Sequence, residues 1–155
     1  MSADDDPIRV LVVCTGNSAR SIMAEALIRS KGGAAFMTFS AGTEPRAVNP
    51  LTLRVLEEAG LDASWARSKS VEEFLGDTFD YVITVCDQAR EVCPVFPGVH
   101  ESLHWGYDDP ALAEGTEEER LAAFRRVFVQ LGERIGTFLP LARRHRDEAA
   151  ATTIG

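Results

Sequence analysis

Apolar residues along this chain switch repeatedly between a strand rhythm and a helix rhythm. Residues 8–13 (Ile8, Arg9, Val10, Leu11, Val12, Val13) form an almost continuous β-branched and Leu run, as expected of a strand buried on both faces of a parallel sheet. A polar loop follows. Good helix formers then run from Ser21 to Lys31, with Ile22, Met23, Ala26 and Leu27 at helical spacing and Gly32 and Gly33 as the stop. Phe36 to Phe39 predicts a second strand, ended by Ser40, Ala41 and Gly42. Asn49 is a good N-cap, with Pro50 at the first helical position, Leu51, Val55 and Leu56 on one face and Gly60 just past the end.

The alternation continues. Ser70 and Glu73 predict a capping box for a short helix through Phe74 and Leu75, and Tyr81 to Val85 a strand that ends at Cys86. After the Pro-punctuated segment that begins at Cys93, Ser102 to Trp105 reads as a weaker strand running into Asp108, Asp109 and Pro110. Thr116 with Glu119 caps a last helix, whose Leu121, Phe124, Phe128, Leu131, Ile135 and Phe138 fall on one stripe. Strand, helix, strand, helix is the order of an α/β sheet.

The length of 155 residues, with 45% hydrophobic side chains, suits one core. We expect a disordered N-terminus over residues 1–7, a single domain over 8–141 and a solvated tail over 142–155, where apolar patterning stops after Pro140. A formal charge of −8 argues against nucleic acid and anionic membrane as partners, so an anionic substrate needs a local site. The acidic opening is no export signal, and the longest apolar run is far short of the roughly 20 residues of a membrane span. These features point to the cytoplasm, where thiols stay reduced. The three cysteines are therefore not a disulfide framework and need another explanation.

Cys14, Thr15, Gly16, Asn17, Ser18, Ala19, Arg20 and Ser21 join the first strand to a helix N-terminus. In that place the backbone N–H groups can converge on a tetrahedral oxyanion, with the Arg20 guanidinium closing the ring. The same donors would lower the pKa of Cys14, and Ser21 could donate to its thiolate. Asn17 tolerates a left-handed backbone, and Gly16 permits close approach. The bare Cys-x5-Arg spacing is a weak signal; its position between a buried strand and a helix makes it strong. The competing reading is a core cysteine with a solvated arginine.

Four stretches carry a family resemblance: Val13-Cys-Thr-Gly-Asn-Ser-Ala-Arg-Ser-Ile-Met-Ala-Glu25, Phe39-Ser-Ala-Gly42, Val85-Cys-Asp-Gln-Ala-Arg-Glu-Val-Cys-Pro94 and His104-Trp-Gly-Tyr-Asp-Asp-Pro-Ala111. From about Ile8 to Leu141 the chain resembles the low-molecular-weight protein tyrosine phosphatase fold, and within it the thioredoxin-coupled arsenate reductases. The resemblance implies a four-stranded parallel sheet with helices on both faces. It also implies a relay in which Cys14 attacks arsenate, Cys86 attacks the arseno-thiol adduct and releases arsenite, and Cys93 attacks Cys86. The resulting disulfide between Cys86 and Cys93 would be reduced by thioredoxin. We expect no bound cofactor or metal, and a monomer. Asp109, before Pro110, matches the family's general acid; Asp108 is its rival.

Redox chemistry needs a thiol pair and phosphoester hydrolysis needs one cysteine, so a tyrosine or small phosphomonoester phosphatase with two incidental cysteines is the alternative. A zinc site from Cys86, Cys93, His100 and His104 is a weaker one, because six residues separate the cysteines. We assign no catalytic role to His100, His104 or His145. Three features depart from the family pattern. Ala19 replaces a frequent loop cysteine, and Ala111 replaces the Tyr common after Asp-Pro in the phosphatases. Some reductases of the family bind potassium, and there Asn17, Glu25 and Ser40 match but Lys69 stands in place of an Asp, so no potassium requirement is expected.

Overall fold

A computed structural model describes residues 6–98 and 100–154, with side chains through 149. Strands β1 (Ile8–Cys14), β2 (Phe36–Gly42), β3 (Tyr81–Thr84) and β4 (Glu101–His104) form one parallel sheet in the order β2-β1-β3-β4. Central β1 is buried along almost its whole length, which accounts for its unbroken apolar run. The register aligns Cys14 with Gly42 and Val13 with Thr84, so the carboxyl ends of β1, β2 and β3 lie level.

Helices α1 (Arg20–Gly32), α2 (Pro50–Glu58), α3 (Asp87–Val92) and α4 (Glu117–Ile154) complete the fold. The side chains of β2 alternate between the two faces. Phe36 meets Phe138 of α4, while Phe39, three residues on, meets Phe74 and Phe79. α1 packs against β1, β2 and α4, and its residues 20–28 are all buried. α3 packs on β1 and β3. Because the chain leaves β1 first toward β2 and later toward β3, the crevice between β1 and β3 is the switch point at which open α/β sheets bind ligands.

The predicted caps are mostly present. Asn49 accepts from the Leu51 amide at 2.9 Å. Thr116 and Glu119 form the reciprocal box, with the Glu119 amide donating to Thr116 Oγ1 at 3.1 Å and the Thr116 amide to Glu119 Oε1 at 3.3 Å. The Ser70 box is incomplete: Ser70 accepts from the Glu72 amide, and Glu73 turns away to pair with Arg67 at 2.9 Å. The helix it begins is a single 3-10 turn, Val71–Phe74. On the α4 stripe Val127 is buried and Phe128 only half-buried.

Two segments are helical beyond what the sequence indicated. The segment expected as a solvated tail is largely exposed over residues 143–149, but it is helix, because α4 passes through Pro140 and runs to Ile154. Leu139 and Ala142 on either side of Pro140 are buried, and that packing carries the helix past a residue that would end it in isolation. Residues 87–92, given no element by the sequence, form α3, which is too short to establish a helical period. Of the expected disordered N-terminus, residues 1–5 lie outside the described residues; Asp6 is exposed and Pro7 half-buried.

Candidate active site

The loop between β1 and α1 is shaped from outside. The Thr43, Glu44 and Arg46 amides donate to the carbonyls of Cys14, Thr15 and Gly16 at 3.1, 2.9 and 2.8 Å. Ser68 Oγ donates to the Asn17 carbonyl at 2.7 Å, and the Asn49 amide and Thr52 Oγ1 donate to that of Ser18 at 3.0 and 2.8 Å. In a planar trans peptide the N–H points opposite to the preceding C=O. Five consecutive carbonyls engaged outward therefore turn the amides of residues 15–19 toward the loop interior. One of them, the Asn17 amide, donates to Cys14 Sγ at 3.1 Å. At the entrance to α1, Ala19 caps the helix without a side-chain bond, which leaves the first amides of that helix unclaimed by any capping group.

Asn17 is the keystone of the loop. It is fully buried at φ 48°, donates from Nδ2 to Ser21 Oγ at 2.7 Å and accepts the Lys69 amide at Oδ1 at 2.8 Å. Gly42 is required beside it, because a Cβ there would lie 2.6 Å from the Thr15 carbonyl oxygen. Ser21 Oγ lies 2.9 Å from Cys14 Sγ. Since Asn17 already donates to that oxygen, the Ser21 hydroxyl hydrogen is available to the sulfur.

Burial pushes the Cys14 thiol up from its ordinary pKa; the Ser21 hydroxyl and amide, the Arg20 guanidinium and the Asn17 amide all pull it down. Burial is the larger effect, contrary to the lowering expected from the donors alone.

Arg20 is buried and donates from Nη1 to the Tyr107 carbonyl at 2.9 Å, while Nη2 stands 3.6 Å from Asp109 Oδ2. Asp109 also accepts the Ala111 amide at 3.0 Å, held by the turn that Pro110 begins. Asp109 thus faces the loop arginine, whereas Asp108 is exposed to solvent.

Cys86, at the N-terminus of α3, is buried, and its Sγ lies 3.2 Å from Thr15 Oγ1. Cys93, at the other end of α3, packs half-buried against the core rather than standing exposed, and burial raises its pKa. All three cysteines are free thiols. Expected site residues Cys14, Arg20, Asp109 and Cys86 thus converge on one edge of the sheet, with Cys93 one short helix away. The Thr15–Cys86 contact, the Tyr107 carbonyl and the clearance at Gly42 were not apparent in the sequence as site features; the only pointer was Gly42 at the strand end.

Glu25, Ser40, Asn17 and Lys69 also meet. Ser40 Oγ donates to Glu25, Arg29 pairs with the same carboxylate at 2.7 Å, and Lys69 Nζ lies 3.9 Å from Glu25 Oε1 and donates to the Arg67 carbonyl at 2.9 Å. Burial lowers the Lys69 pKa and the Glu25 carboxylate opposes that shift. An ammonium and a guanidinium already balance this carboxylate, so the residues do not fit a potassium ion.

Residues 9–149 match the family described as low molecular weight phosphotyrosine protein phosphatase. An arsenate reductase of Halalkalibacterium halodurans is 44% identical over 129 residues, covering 83% of this chain and 93% of that protein. The crystal structure of arsenate reductase from Archaeoglobus fulgidus is 32% identical with a TM-score of 0.69, covering 84% of this chain and 98% of the other. A thioredoxin-dependent arsenate reductase of Corynebacterium glutamicum is 29% identical with a TM-score of 0.64, covering 88% of this chain and 64% of the other. With residues 9–149 matched by the family, and with the loop from Cys14 to Arg20 and the facing Asp109 in place, this chain belongs to the low molecular weight phosphotyrosine protein phosphatase family.

Proposed function

We propose that this protein reduces arsenate to arsenite through its three thiols and is returned to the reduced state by thioredoxin. The observation that carries this reading is the position of Cys86, a second thiol within 3.2 Å of the Thr15 hydroxyl at the rim of the oxyanion loop. Hydrolysis of a phosphoester requires no such group. An arsenate reductase at 44% identity supports it as well.

Arsenate would occupy the loop, with the inward amides and Arg20 balancing its charge. Cys14 Sγ forms a bond to arsenic as one arsenate oxygen leaves as water, with Asp109 placed to supply a proton. Burial raises the Cys14 pKa, and the arriving dianion can receive the thiol proton as the sulfur attacks. Cys86 then attacks Cys14 Sγ. An S–S bond forms, the S–As bond breaks, and its electron pair stays on arsenic as arsenite. Attack of Cys93 on Cys86 Sγ releases Cys14 as a thiolate, and exchange with a thioredoxin dithiol reduces the Cys86–Cys93 disulfide. In sum, one arsenate and two thiols give arsenite, one disulfide and water. The electrons come from the protein's own sulfurs, so the reaction calls for no bound cofactor.

The last exchange requires movement. Cys86 and Cys93 flank the six residues of α3, which at helical rise puts their Cα atoms about 10 Å apart. A disulfide holds its Cα atoms within roughly 7 Å. α3 must therefore unwind to join them, and a single helical turn and a half is a low barrier to that.

Mass mapping of thiols after arsenate addition tests the reading. We expect one arsenite and one new disulfide per protein, with Cys93→Ser stopping after a single turnover at a Cys14–Cys86 disulfide. Unchanged thiols, with release of phosphate from small aryl phosphates, would establish the phosphatase instead. Full steady-state turnover of Cys93→Ser with thioredoxin would eliminate the relay.

A further inference from the structure

His104 has no part in the oxyanion chemistry, yet its ring is held at both nitrogens beside Cys86. Nδ1 lies 2.8 Å from Thr84 Oγ1, and Nε2 lies 2.8 Å from Asp87 Oδ1. The Asp87 carboxylate can only accept, so Nε2 carries a hydrogen, while Thr84 Oγ1 beside Nδ1 also donates to the Leu103 carbonyl at 3.4 Å. The two partners bracket Cys86: Thr84 ends β3 two residues before it, and Asp87 begins α3 directly after it.

The ring itself belongs to the last residue of β4, whose backbone is laddered to β3. The segment after β4 is tied down as well, with the Trp105 amide on the Thr84 carbonyl at 2.8 Å and the Tyr107 amide on the Val85 carbonyl at 3.3 Å.

We infer that His104 is a positioning residue for the thiol exchange, pinning the first turn of α3 to the sheet through Asp87 and so favouring the helical, dithiol state over the Cys86–Cys93 disulfide. The inference rests on the thiol relay proposed for this site. Its physical basis is linkage. The bond from a rigid strand to Asp87 is available only while residue 87 keeps its helical backbone, and joining Cys86 to Cys93 requires α3 to give up that conformation. A hydrogen bond to a largely exposed carboxylate that exists in one state and not the other shifts the equilibrium between them by about three- to fivefold. Forming the disulfide removes two electrons and two protons from the two thiols, with an oxidised small dithiol as the acceptor.

The test uses the full chain carrying Cys14→Ser, so that Cys86 can pair only with Cys93, equilibrated with mixtures of reduced and oxidised dithiothreitol. The disulfide is quantified by mass after the remaining thiols are trapped. We expect His104→Leu to raise the equilibrium constant for disulfide formation about three- to fivefold, a potential more negative by about 15–20 mV. His104→Gln, which keeps an N–H within reach of Asp87, should restore most of the parent value. Asp87→Ala shifts the constant in the same direction, and added to His104→Leu it changes the constant by less than its effect alone. Asp87 is largely exposed, so that variant also serves if His104→Leu does not fold. A His104→Leu or Asp87→Ala constant within twofold of the parent overturns the inference while leaving the relay standing. A parent protein that forms no Cys86–Cys93 disulfide at any ratio overturns the relay, and the inference with it.

Discussion

Cys14 shows two opposing demands on one sulfur. Its loop offers donors suited to a thiolate, and the same burial that aligns those donors penalises the charge. A raised pKa means that alkylation of Cys14 should climb with pH through a midpoint above the ordinary thiol range in the ligand-free protein. Ser21→Ala removes the nearest donor, so its midpoint should move higher still, with alkylation at fixed neutral pH slower by about tenfold. Iodoacetamide kinetics followed by mass from pH 6 to 10 would measure both; a Ser21→Ala profile lying on that of the wild type would remove Ser21 from the account. The sequence revealed the donors, because Cys14, Arg20 and Ser21 are spaced around a strand-to-helix turn. It could not reveal the desolvation, which depends on residues 43–69 folding over the loop.

Among the elements, the long apolar runs and the caps at Asn49 and Thr116 were legible because each is decided within a few neighbours. α3 and the far end of α4 were not, because tertiary contacts decide them. Pro140 removes one helical N–H and leaves the Gly136 carbonyl without its usual donor. α4 nevertheless continues, since Leu139 and Ala142 bury themselves against the body. If packing rather than propensity holds the helix there, Pro140→Ala should restore the missing bond at no packing loss, because position 140 is exposed. We expect a gain of about 1–3 kcal/mol in urea unfolding with an unchanged slope. A loss of stability would mean that the proline relieves a bend that α4 needs to follow the sheet. Packing accounts for α3 in the same way: six residues between two cysteines have no period to read, and the helix forms because it packs on β1 and β3.

For the whole molecule, the charge of −8 and an oxyanion site make opposite predictions about anions. Diffuse electrostatics would let any salt stabilise the fold by screening self-repulsion, in proportion to ionic strength. A built site instead gives saturable stabilisation by anions of the right shape, because only the folded loop presents converging amides. That loop also joins the molecule together, since its five outward carbonyls are bonded to residues from 43 to 68, which lead from β2 through α2 toward the turn before β3. An anion that orders the loop therefore acts on the cooperative unit and not on a local flap. At a hundred times its dissociation constant, a tetrahedral oxyanion should add about 2.7 kcal/mol, which for a chain of this size is about 5–10 °C in Tm. Phosphate and arsenate at constant ionic strength should produce that rise against chloride, and Arg20→Ala should abolish the difference even if its own Tm is lower. Equal shifts with chloride, or a shift that survives in Arg20→Ala, would mean that screening of the net charge stabilises the fold and that the loop does not hold the anion.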